Sequence, residues 1–347
     1  MGENDLSTVL GMLAPLYSDP TITEIMVDAP DRVYVVRSGT AGALEQTEVI
    51  FDSPKALRHV IDAVMALGNV TLGPDHSIGE IRLPDGSRAT AVIPPVAVAN
   101  PYLVIRKTDP EKFSFTWEKL LNIGTLSAEA HTVLMQAINY RVNVLFVGNA
   151  KNSGKDYVVN LMAESLPPEE RVIVIADAFE LPVGHHPRRI HLEPGTPAKM
   201  PVGTLLDVAT KMRPDWLVID TLRGAETMSA IQLMYSGYQL LTSVYADSPE
   251  DALTRLEALC LIARPGVSLT EIRQMIAGAI GLISFQKNHT LPDYRIKITQ
   301  LVEVQGVENG RYILQPLFTY DNEQGVLHPT EVGKTWAERV KHRLTRG

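Results

Sequence analysis

The chain has 347 residues and a formal net charge of -8. Hydrophobic residues make up 45% of it and charged residues 21%, as in globular proteins with about two domains of ~150 residues each. The negative net charge predicts no overall attraction to nucleic acid or anionic lipid, so we expect no nucleic-acid partner. Cys260 is the only cysteine, which excludes an intrachain disulfide and a multi-cysteine metal site and favours a reducing compartment.

The amino-terminal residues and the hydropathy pattern predict the cellular location of the chain. Residues 1–10 lack the basic and then apolar regions of a signal peptide. No stretch approaches the ~18 uninterrupted apolar residues that a membrane-spanning helix needs. We therefore expect a cytoplasmic chain that neither crosses a membrane nor is exported by the signal-peptide route.

Residues 1–105 are predicted to form a smaller amino-terminal domain of mixed α and β structure, from apolar residues at helical or alternating spacing. The predicted elements are a helix over 5–17, strands over 23–28 and 32–39, a helix over 53–68, and a hairpin over 79–95 that turns at Pro84-Asp85-Gly86. Ser53 is a good helix cap, and Gly86 supplies the positive φ that closes the hairpin.

A polar and charged stretch containing Pro110 predicts a linker over 106–118. Beyond it, residues 119–347 alternate helical patterns with short β-branched runs, which predicts an α/β domain. Its central sheet is expected to be mainly parallel and covered by helices on both faces. The predicted strands are 142–148, 171–177, 216–220 and 239–246, followed by a hairpin over 295–318 that turns at Asn309-Gly310.

A phosphate-binding loop is predicted where the strand at 142–148 meets the next helix. We take Gly148 as the first glycine of the loop and Gly154 with Lys155 as its end. In such loops backbone N–H groups and the helix amino terminus face the phosphates, and the lysine reaches the terminal ones. The predicted nucleotide contacts are Gly148, Asn149, Ala150, Lys151, Asn152, Ser153, Gly154, Lys155 and Asp156. An ordinary glycine-bounded turn is the alternative on these residues alone.

Asp156 stands where the motif has the hydroxyl that holds Mg²⁺. A carboxylate ~4 Å from a phosphate charge costs about 4 kcal/mol at an effective dielectric constant of about 20. Mg²⁺ accepts carboxylate ligands, and Lys151 adds a positive charge, so both offset part of this cost. The sequence therefore predicts ATP binding that is weak or strongly dependent on Mg²⁺.

A second acidic position follows the apolar run at 216–219. Asp220 fits the acid that holds Mg²⁺ beside a phosphate loop, and Arg223 stands three residues further on. An aspartate in a turn or helix cap is the alternative. Asp156 and Asp220 are our candidate metal ligands, and Asp220 and Arg223 are candidate catalytic residues.

Segments along nearly the whole chain resemble the hexameric secretion ATPases of type II and type IV systems, and in particular the CpaF-like motors of tight-adherence (Flp) pilus assembly. The segments that carry the resemblance are DPTITEIMVDAPDRVYV (19–35), RLPDGSRATAVIPP (82–95), IGTLSAEA (123–130), KMRPDWLVIDTLRGAE (211–226), ADSPEDALTRLEAL (246–259) and EIRQMIAGAIGLI (271–283). The resemblance implies an amino-terminal α/β domain, a linker and a RecA-like P-loop motor domain that uses ATP and Mg²⁺.

The resemblance also implies partners and residue roles. It implies a hexameric ring at the inner face of the cell membrane, in contact with platform proteins of a pilus or secretion machine. Arg82, Arg88 and Arg106 become candidate phosphate-facing arginines, with surface ion pairs as the alternative. Glu180 lies in the acidic box of the family and joins Asp220 and Arg223 as a candidate catalytic residue.

The departures from the family pattern fall on its catalytic positions. Asp156 replaces Ser or Thr, Ala176 and Thr221 each replace a glutamate, and Tyr238 and Tyr245 replace two histidines. Losing a general base alone costs ~10² to 10⁴ in rate, and several losses in one site are not additive. Two hypotheses stay open. One is a nucleotide-binding subunit that hydrolyses ATP slowly; the other is a pseudo-ATPase with a structural or regulatory role, in a ring of its own or with an active paralogue.

Overall fold

The structure is a computed structural model that describes residues 3–38, 43–108, 115–149, 153–176, 181–195, 200–289 and 295–344. The chain divides into two compact units, Met1–Pro110 and Glu111–Gly347. Across the described residues, no helix is both long and apolar enough to cross a membrane.

The first unit is an antiparallel six-stranded sheet with helices. Its elements are α1 (Glu3–Leu10), α2 (Ala14–Ser18), β1 (Ile22–Ala29), β2 (Arg32–Arg37), β3 (Leu44–Gln46), α3 (Pro54–Ala66), β4 (Ile78–Arg82), β5 (Arg88–Val92) and β6 (Tyr102–Arg106). The strand order is β3-β2-β1-β6-β5-β4. The apolar face of α3 is buried in the core of this unit, as its spacing predicts.

Two predicted signals of this unit are confirmed by their hydrogen bonds. Ser53 caps α3, because its side chain accepts a bond from the backbone N–H of Ala56 at 3.2 Å. The hairpin of β4 and β5 turns at Gly86, which has a φ of +92°. Asp85 supports the turn by accepting a 3.0 Å bond from the backbone N–H of Ser87.

Other predicted elements differ from the structure. The continuous helix over 5–17 is wrong, because Gly11 takes a φ of +53° in a 3₁₀ turn and separates α1 from α2. The strands β3 and β6 were not predicted. The predicted linker overlaps regular structure at both ends, since Arg106 ends β6 and residues 117–118 begin the next helix.

The second unit contains a nine-stranded sheet. Its elements are α4 (Trp117–Asn122), α5 (Ala128–Asn139), β7 (Val144–Gly148), α6 (Lys155–Glu164), β8 (Val172–Ile175), β9 (Arg189–Leu192), α7 (Val202–Lys211), β10 (Trp216–Thr221), α8 (Glu226–Tyr235), β11 (Leu240–Tyr245), α9 (Pro249–Ala263), α10 (Leu269–Ala279), β12 (Leu282–His289), β13 (Arg295–Glu308), β14 (Arg311–Asp321), β15 (Val326–Pro329), α11 (Glu331–Lys334) and α12 (Trp336–Leu344). The strand order is β15-β14-β13-β12-β7-β11-β10-β8-β9.

This sheet is parallel from β12 to β9, and its β12 to β15 end is antiparallel. All four predicted strands of the parallel part are present. The predicted terminal hairpin is β13 and β14, and Asn309 and Gly310 turn it with φ values of +51° and +73°. Two consecutive positive φ values match the twist of the flanking strands, which is why Asn-Gly favours this turn.

Helices cover both faces of the larger sheet. Alternate residues of one strand point to opposite faces, so Val144 and Phe146 of β7 join one core while Leu145 and Val147 join the other. The first core includes buried residues of α5 and α6, and the second includes those of α7, α8, α9 and α10. Burial on both faces explains why these strands read as continuous apolar runs.

The parallel pairing brings three strand ends to one edge of the sheet. Gly148 of β7 lies beside Tyr245 of β11, and Ser243 of β11 lies beside Thr221 of β10. These are carboxyl ends of strands, the edge at which open α/β sheets bind ligands. The candidate site is built at this edge.

Candidate functional site

Two tightly packed glycines flank the loop between β7 and α6. A Cβ atom at Gly148 would lie 2.0 Å from the Oγ of Ser153, so only glycine lets that serine pack here. Gly154 precedes α6 with a φ of +74°, and a Cβ there would meet the side chain of Ile296 at 2.4 Å. Both positions therefore require glycine, as a backbone that approaches a ligand or its own chain closely often does.

The spacing of the loop needs one correction. Five residues separate Gly148 from Gly154, whereas four separate the glycines of a phosphate loop. Gly148 therefore is not the first glycine of the motif; Asn149 stands at that position, and Gly148 is the last residue of β7. The match is weaker than expected at its start as well as at Asp156.

Lys155 is the first residue of α6 and its side chain is only 1% exposed. Its Nζ atom donates a hydrogen bond to Oδ1 of Asp156 within an ion pair. It donates a second bond of 2.9 Å to Oγ1 of Thr221. It also lies 4.5 Å from the centroid of the Tyr245 ring, in cation–π contact. Protein groups thus surround this buried ammonium.

The partners of Lys155 are three of the positions at which the sequence resemblance predicts a departure from the family pattern. Asp156, Thr221 and Tyr245 come from the start of α6 and from the ends of β10 and β11. The sequence marked each as a separate loss. The structure brings them together around one charge, so we call Lys155, Asp156, Thr221 and Tyr245 the Lys155 cluster.

The hydroxyl of Thr221 is fully engaged. It donates to Oδ1 of Asp220 at 3.1 Å and accepts from Lys155. It also lies 3.1 Å from Oγ of Ser243, which therefore acts as the donor. One proton and two lone pairs are the whole capacity of a hydroxyl. Thr221 is thus a hydrogen-bond junction that leaves no free lone pair for water or a metal ion.

Asp220 and Arg223 lie beside the cluster, nearer to solvent. Oδ2 of Asp220 is 4.0 Å from the guanidinium of Arg223, whose side chain is 66% exposed. Glu226 holds the turn between them and α8, because its Oε1 accepts bonds from the backbone N–H groups of Arg223 and Gly224 at 2.7 and 2.8 Å. Asp220 therefore joins the site through Thr221.

The start of α6 and the residues before it keep some features that suit a phosphate group. Ser153 is fully buried, and its Oγ has no hydrogen-bond partner among the described residues, so a polar group remains to be satisfied there. The amino terminus of α6 adds a positive dipole end. Asp156, in the first turn of the same helix, opposes both with a negative charge.

The residues fit a Mg²⁺ ion less well. The described part of the chain contains no group of three His, Cys, Asp or Glu side chains able to hold a metal. Asp156 is committed to Lys155, and Asp220 accepts from Thr221 and faces Arg223. Either carboxylate would have to give up a protein partner in order to bind the ion.

The predicted arginines of the first unit form a row across its sheet. Cross-strand pairing places Arg82 opposite Arg88, Arg88 opposite Arg106, and Arg106 opposite Glu24. Directly opposed residues point to the same face of a sheet. Arg106 forms an ion pair with Glu24, and Arg88 lies 3.4 Å from Glu80.

Several predicted positions lie outside the described residues: Ala150, Lys151, Asn152 and Glu180. The sequence did not predict that Thr221 and Tyr245 contact Lys155. It also did not predict that Ser243 hydrogen-bonds to Thr221. The sequence held one signal for Ser243, since the Thr242-Ser243 pair interrupts an otherwise apolar strand.

Comparisons with known proteins agree with this architecture. The family model described as "Type II/IV secretion system protein" matches residues 8–305. A putative conjugal transfer protein of Mycobacterium tuberculosis is 26% identical over 290 residues, which cover 80% of this chain and 79% of that protein. The type IV secretion system protein VirB11 of Brucella abortus is 27% identical over 285 residues, covering 74% of this chain and 78% of VirB11.

A solved structure gives the fold. The crystal structure of the pilus retraction motor PilT with bound ADP covers 97% of this chain and 88% of its own, with a TM-score of 0.55 and 12% sequence identity. The second unit is a RecA-like ATPase-type domain with a mainly parallel central sheet, preceded by a smaller α/β domain. The chain belongs to the type II/IV secretion system protein family.

Proposed function

We propose that this chain is a pseudo-ATPase subunit of a type II/IV secretion or pilus-assembly machine, with a structural or regulatory role. The observation that carries the proposal is the Lys155 cluster. The lysine that would face the terminal phosphates of ATP is buried against Asp156, Thr221 and Tyr245. In this proposal Asp156 neutralises Lys155 as a phosphate would, and Thr221 and Tyr245 occupy the positions at which the resemblance implies a glutamate and a histidine.

Energetics favour this interpretation. For Lys155 to reach a phosphate, it must leave a carboxylate, a hydroxyl and an aromatic ring, and Asp156 then lies near the phosphate charge. That repulsion is about 4 kcal/mol at ~4 Å and an effective dielectric constant of about 20, or roughly the gap between micromolar and millimolar affinity. We expect ATP to bind only in about the millimolar range, with or without Mg²⁺.

The wider assignment rests on the family and on the resemblance given above. PilT was solved with ADP, and VirB11 is a type IV secretion system protein. By analogy we propose a hexameric ring at the inner face of the cell membrane, in contact with platform proteins, with an active paralogue as a further candidate partner. The CpaF-like segments favour a tight-adherence (Flp) pilus machine. The cytoplasm is the proposed location.

Slow ATP hydrolysis is the second candidate function. It is favoured by the position of Asp156 and Asp220 on the two sides of the Lys155–Thr221 hydrogen bond, with side chains 22% and 31% exposed. If ATP and Mg²⁺ displaced Lys155 from Asp156, both carboxylates would be available to the ion. The chemistry would still lack the general base that Thr221 replaces.

Phosphate release separates the two functions. We expect release by the unmodified chain to equal that of Lys155→Ala at saturating ATP and Mg²⁺. Asp156→Thr combined with Thr221→Glu restores a metal-binding hydroxyl and a base, and we expect it to raise the rate by ~10² or more. A titration with a labelled ATP analogue, with and without Mg²⁺, measures the affinity.

Contrary results are readily distinguished. Phosphate release that Lys155→Ala abolishes would contradict the pseudo-ATPase and support slow hydrolysis. Binding in the micromolar range would contradict the electrostatic argument from Asp156. Circular dichroism and thermal melting of each variant show whether a loss of binding is a loss of folding.

A further inference from the structure

A second group of positive charges lies at the opposite edge of the larger sheet. Its residues directly precede strands β8, β9 and β10 or end α7, so they surround the amino ends of these parallel strands. They line an open cavity of about 670 Å³. The lining residues are Arg171, Arg188, Lys211, Met212, Arg213, Pro214 and Asp215, and we call this cavity the basic pocket.

The charges of the basic pocket are not balanced by neighbours. Four cationic side chains face one carboxylate there, although the whole chain carries a net charge of -8. Within the described part of the chain, the side chains of Arg171, Lys211 and Arg213 make no hydrogen bond or ion pair. Among the described residues, the guanidinium of Arg188 donates to the backbone carbonyl of Glu169, which carries no charge.

Two acids belong to or adjoin the pocket: Asp215 lines it, and Glu170 directly precedes Arg171 in the chain. Asp215 accepts a 2.7 Å bond from the backbone N–H of Arg171, which orients its carboxylate. Glu170 forms an ion pair with Arg141 and accepts a 2.5 Å bond from the indole of Trp216. The lining therefore keeps an excess of positive charge, because Asp215 is one carboxylate beside four cationic side chains.

One atom of the pocket lacks a partner that it would be expected to have. Nε of Arg171 is buried, yet it has no hydrogen-bond acceptor among the described residues. A buried donor without an acceptor costs about 1–3 kcal/mol. An anionic ligand in the pocket would relieve the repulsion among the cations.

The backbone holds this arrangement in place. The carbonyl of Arg171 accepts bonds from the N–H groups of Asp215 and Trp216, and the carbonyl of Arg188 accepts one from Val172. Arg213 has a φ of +54°, a left-handed conformation that is uncommon outside glycine. Such strain persists where surrounding structure holds it, and it is frequent at ligand sites.

We propose that the basic pocket is a binding site for a phosphate ester, separate from the phosphate loop. Guanidinium groups match phosphate oxygens with paired hydrogen bonds, and an excess of three cations suits a dianion better than a single carboxylate. The volume lies within the ~300–1,000 Å³ of small-molecule sites. Met212 and Pro214 provide apolar surface for the organic part of the ester. A soluble ester and a phospholipid headgroup share this chemistry.

Calorimetric titration of the full chain with inorganic pyrophosphate tests the site. We expect binding that Lys211→Gln with Arg213→Gln weakens at least tenfold. Lys155→Ala should leave it unchanged, which separates the pocket from the phosphate loop. The matched control is Lys211→Arg with Arg213→Lys, which keeps both charges and should keep the affinity. Both side chains are exposed and unpaired within the described residues, so the variants should fold.

Two further probes identify the source of the phosphate. If phosphatidylglycerol vesicles bind the chain and pyrophosphate displaces them, the ligand is a lipid headgroup. If pyrophosphate binds in the pocket and these vesicles do not, the ligand is a soluble ester. The proposal is overturned if pyrophosphate does not bind, if the glutamine variant binds as well as the unmodified chain, or if a Glu-rich peptide binds the pocket more tightly.

Discussion

The two edges of the larger sheet differ in whether their positively charged side chains are paired with groups of the protein. At the carboxyl edge, Lys155 is buried and contacted by three side chains of its own chain. At the amino edge, Lys211 and Arg213 are exposed and make no ion pair within the described residues. A cation is available to an anionic ligand only when the protein itself does not neutralise it. The two edges therefore differ in whether their cations are free to bind an anion, and the presence of a lysine at a motif position does not decide this.

The largest effect should come from breaking the Lys155 cluster. Asp156→Ala leaves a buried ammonium without its charge partner, and we expect it to lower the free energy of unfolding by about 3 kcal/mol. Urea denaturation measures the change. Glu331→Ala is the matched control, because its ion pair with Lys334 is exposed and should contribute less than about 1 kcal/mol.

A double substitution sharpens this prediction. Lys155→Met with Asp156→Ala removes both charges, so it should cost less than Asp156→Ala alone. Equal losses for Asp156→Ala and Glu331→Ala would show that Lys155 does not depend on Asp156. The contrast between the two edges would then fail.

An intermediate effect should come from the aromatic ring above Lys155. Tyr245→Leu removes the cation–π contact and should cost about 1 kcal/mol, whereas Tyr245→Phe keeps a ring and should cost less. Thermal unfolding of both variants checks the difference. In a Lys155→Met background, Tyr245→Leu and Tyr245→Phe should cause the same loss of stability. If their effects still differ, the ring acts through packing alone.

The smallest effect belongs to the basic pocket. Lys211→Gln with Arg213→Gln relieves repulsion among like charges, so we expect the free energy of unfolding to rise by less than about 1 kcal/mol at low salt. The gain should disappear near 1 M salt, where the screening length is ~3 Å. Urea denaturation at the two salt concentrations tests this. A loss of stability at low salt would mean that the pocket's cations are neutralised after all.

Much of the fold could be predicted because its patterns are local. The strands β7, β8, β10 and β11 were found from their apolar β-branched runs, since burial on both faces leaves no polar alternation. The short strands β3 and β9 were missed because exposed or half-buried residues give no such run. The prediction joined two helices into one over 5–17, because the apolar residues keep their helical spacing through the break at Gly11.

The residues of the candidate site could be proposed from the sequence, whereas their contacts could not. The loop, Lys155 and Asp220 were predicted from sequence order, and Thr221 and Tyr245 were marked as departures from the pattern of the resembling family. Their hydrogen bond and ring contact with Lys155 join residues that are distant in the chain, so no local pattern reports them. The basic pocket was missed for the same reason, because its cations come from segments that are separate in the chain: Arg171, Arg188 and the stretch from Lys211 to Arg213.

The sequence by itself determined the alternation of strands and helices and the membership of the family, because these depend on residue type and order along the chain. Only the tertiary structure decided that Asp156, Thr221 and Tyr245 enclose one ammonium, and that other cations gather at the far edge of the same sheet. Electrostatic interactions depend on distance through space, and folding the parallel sheet sets those distances.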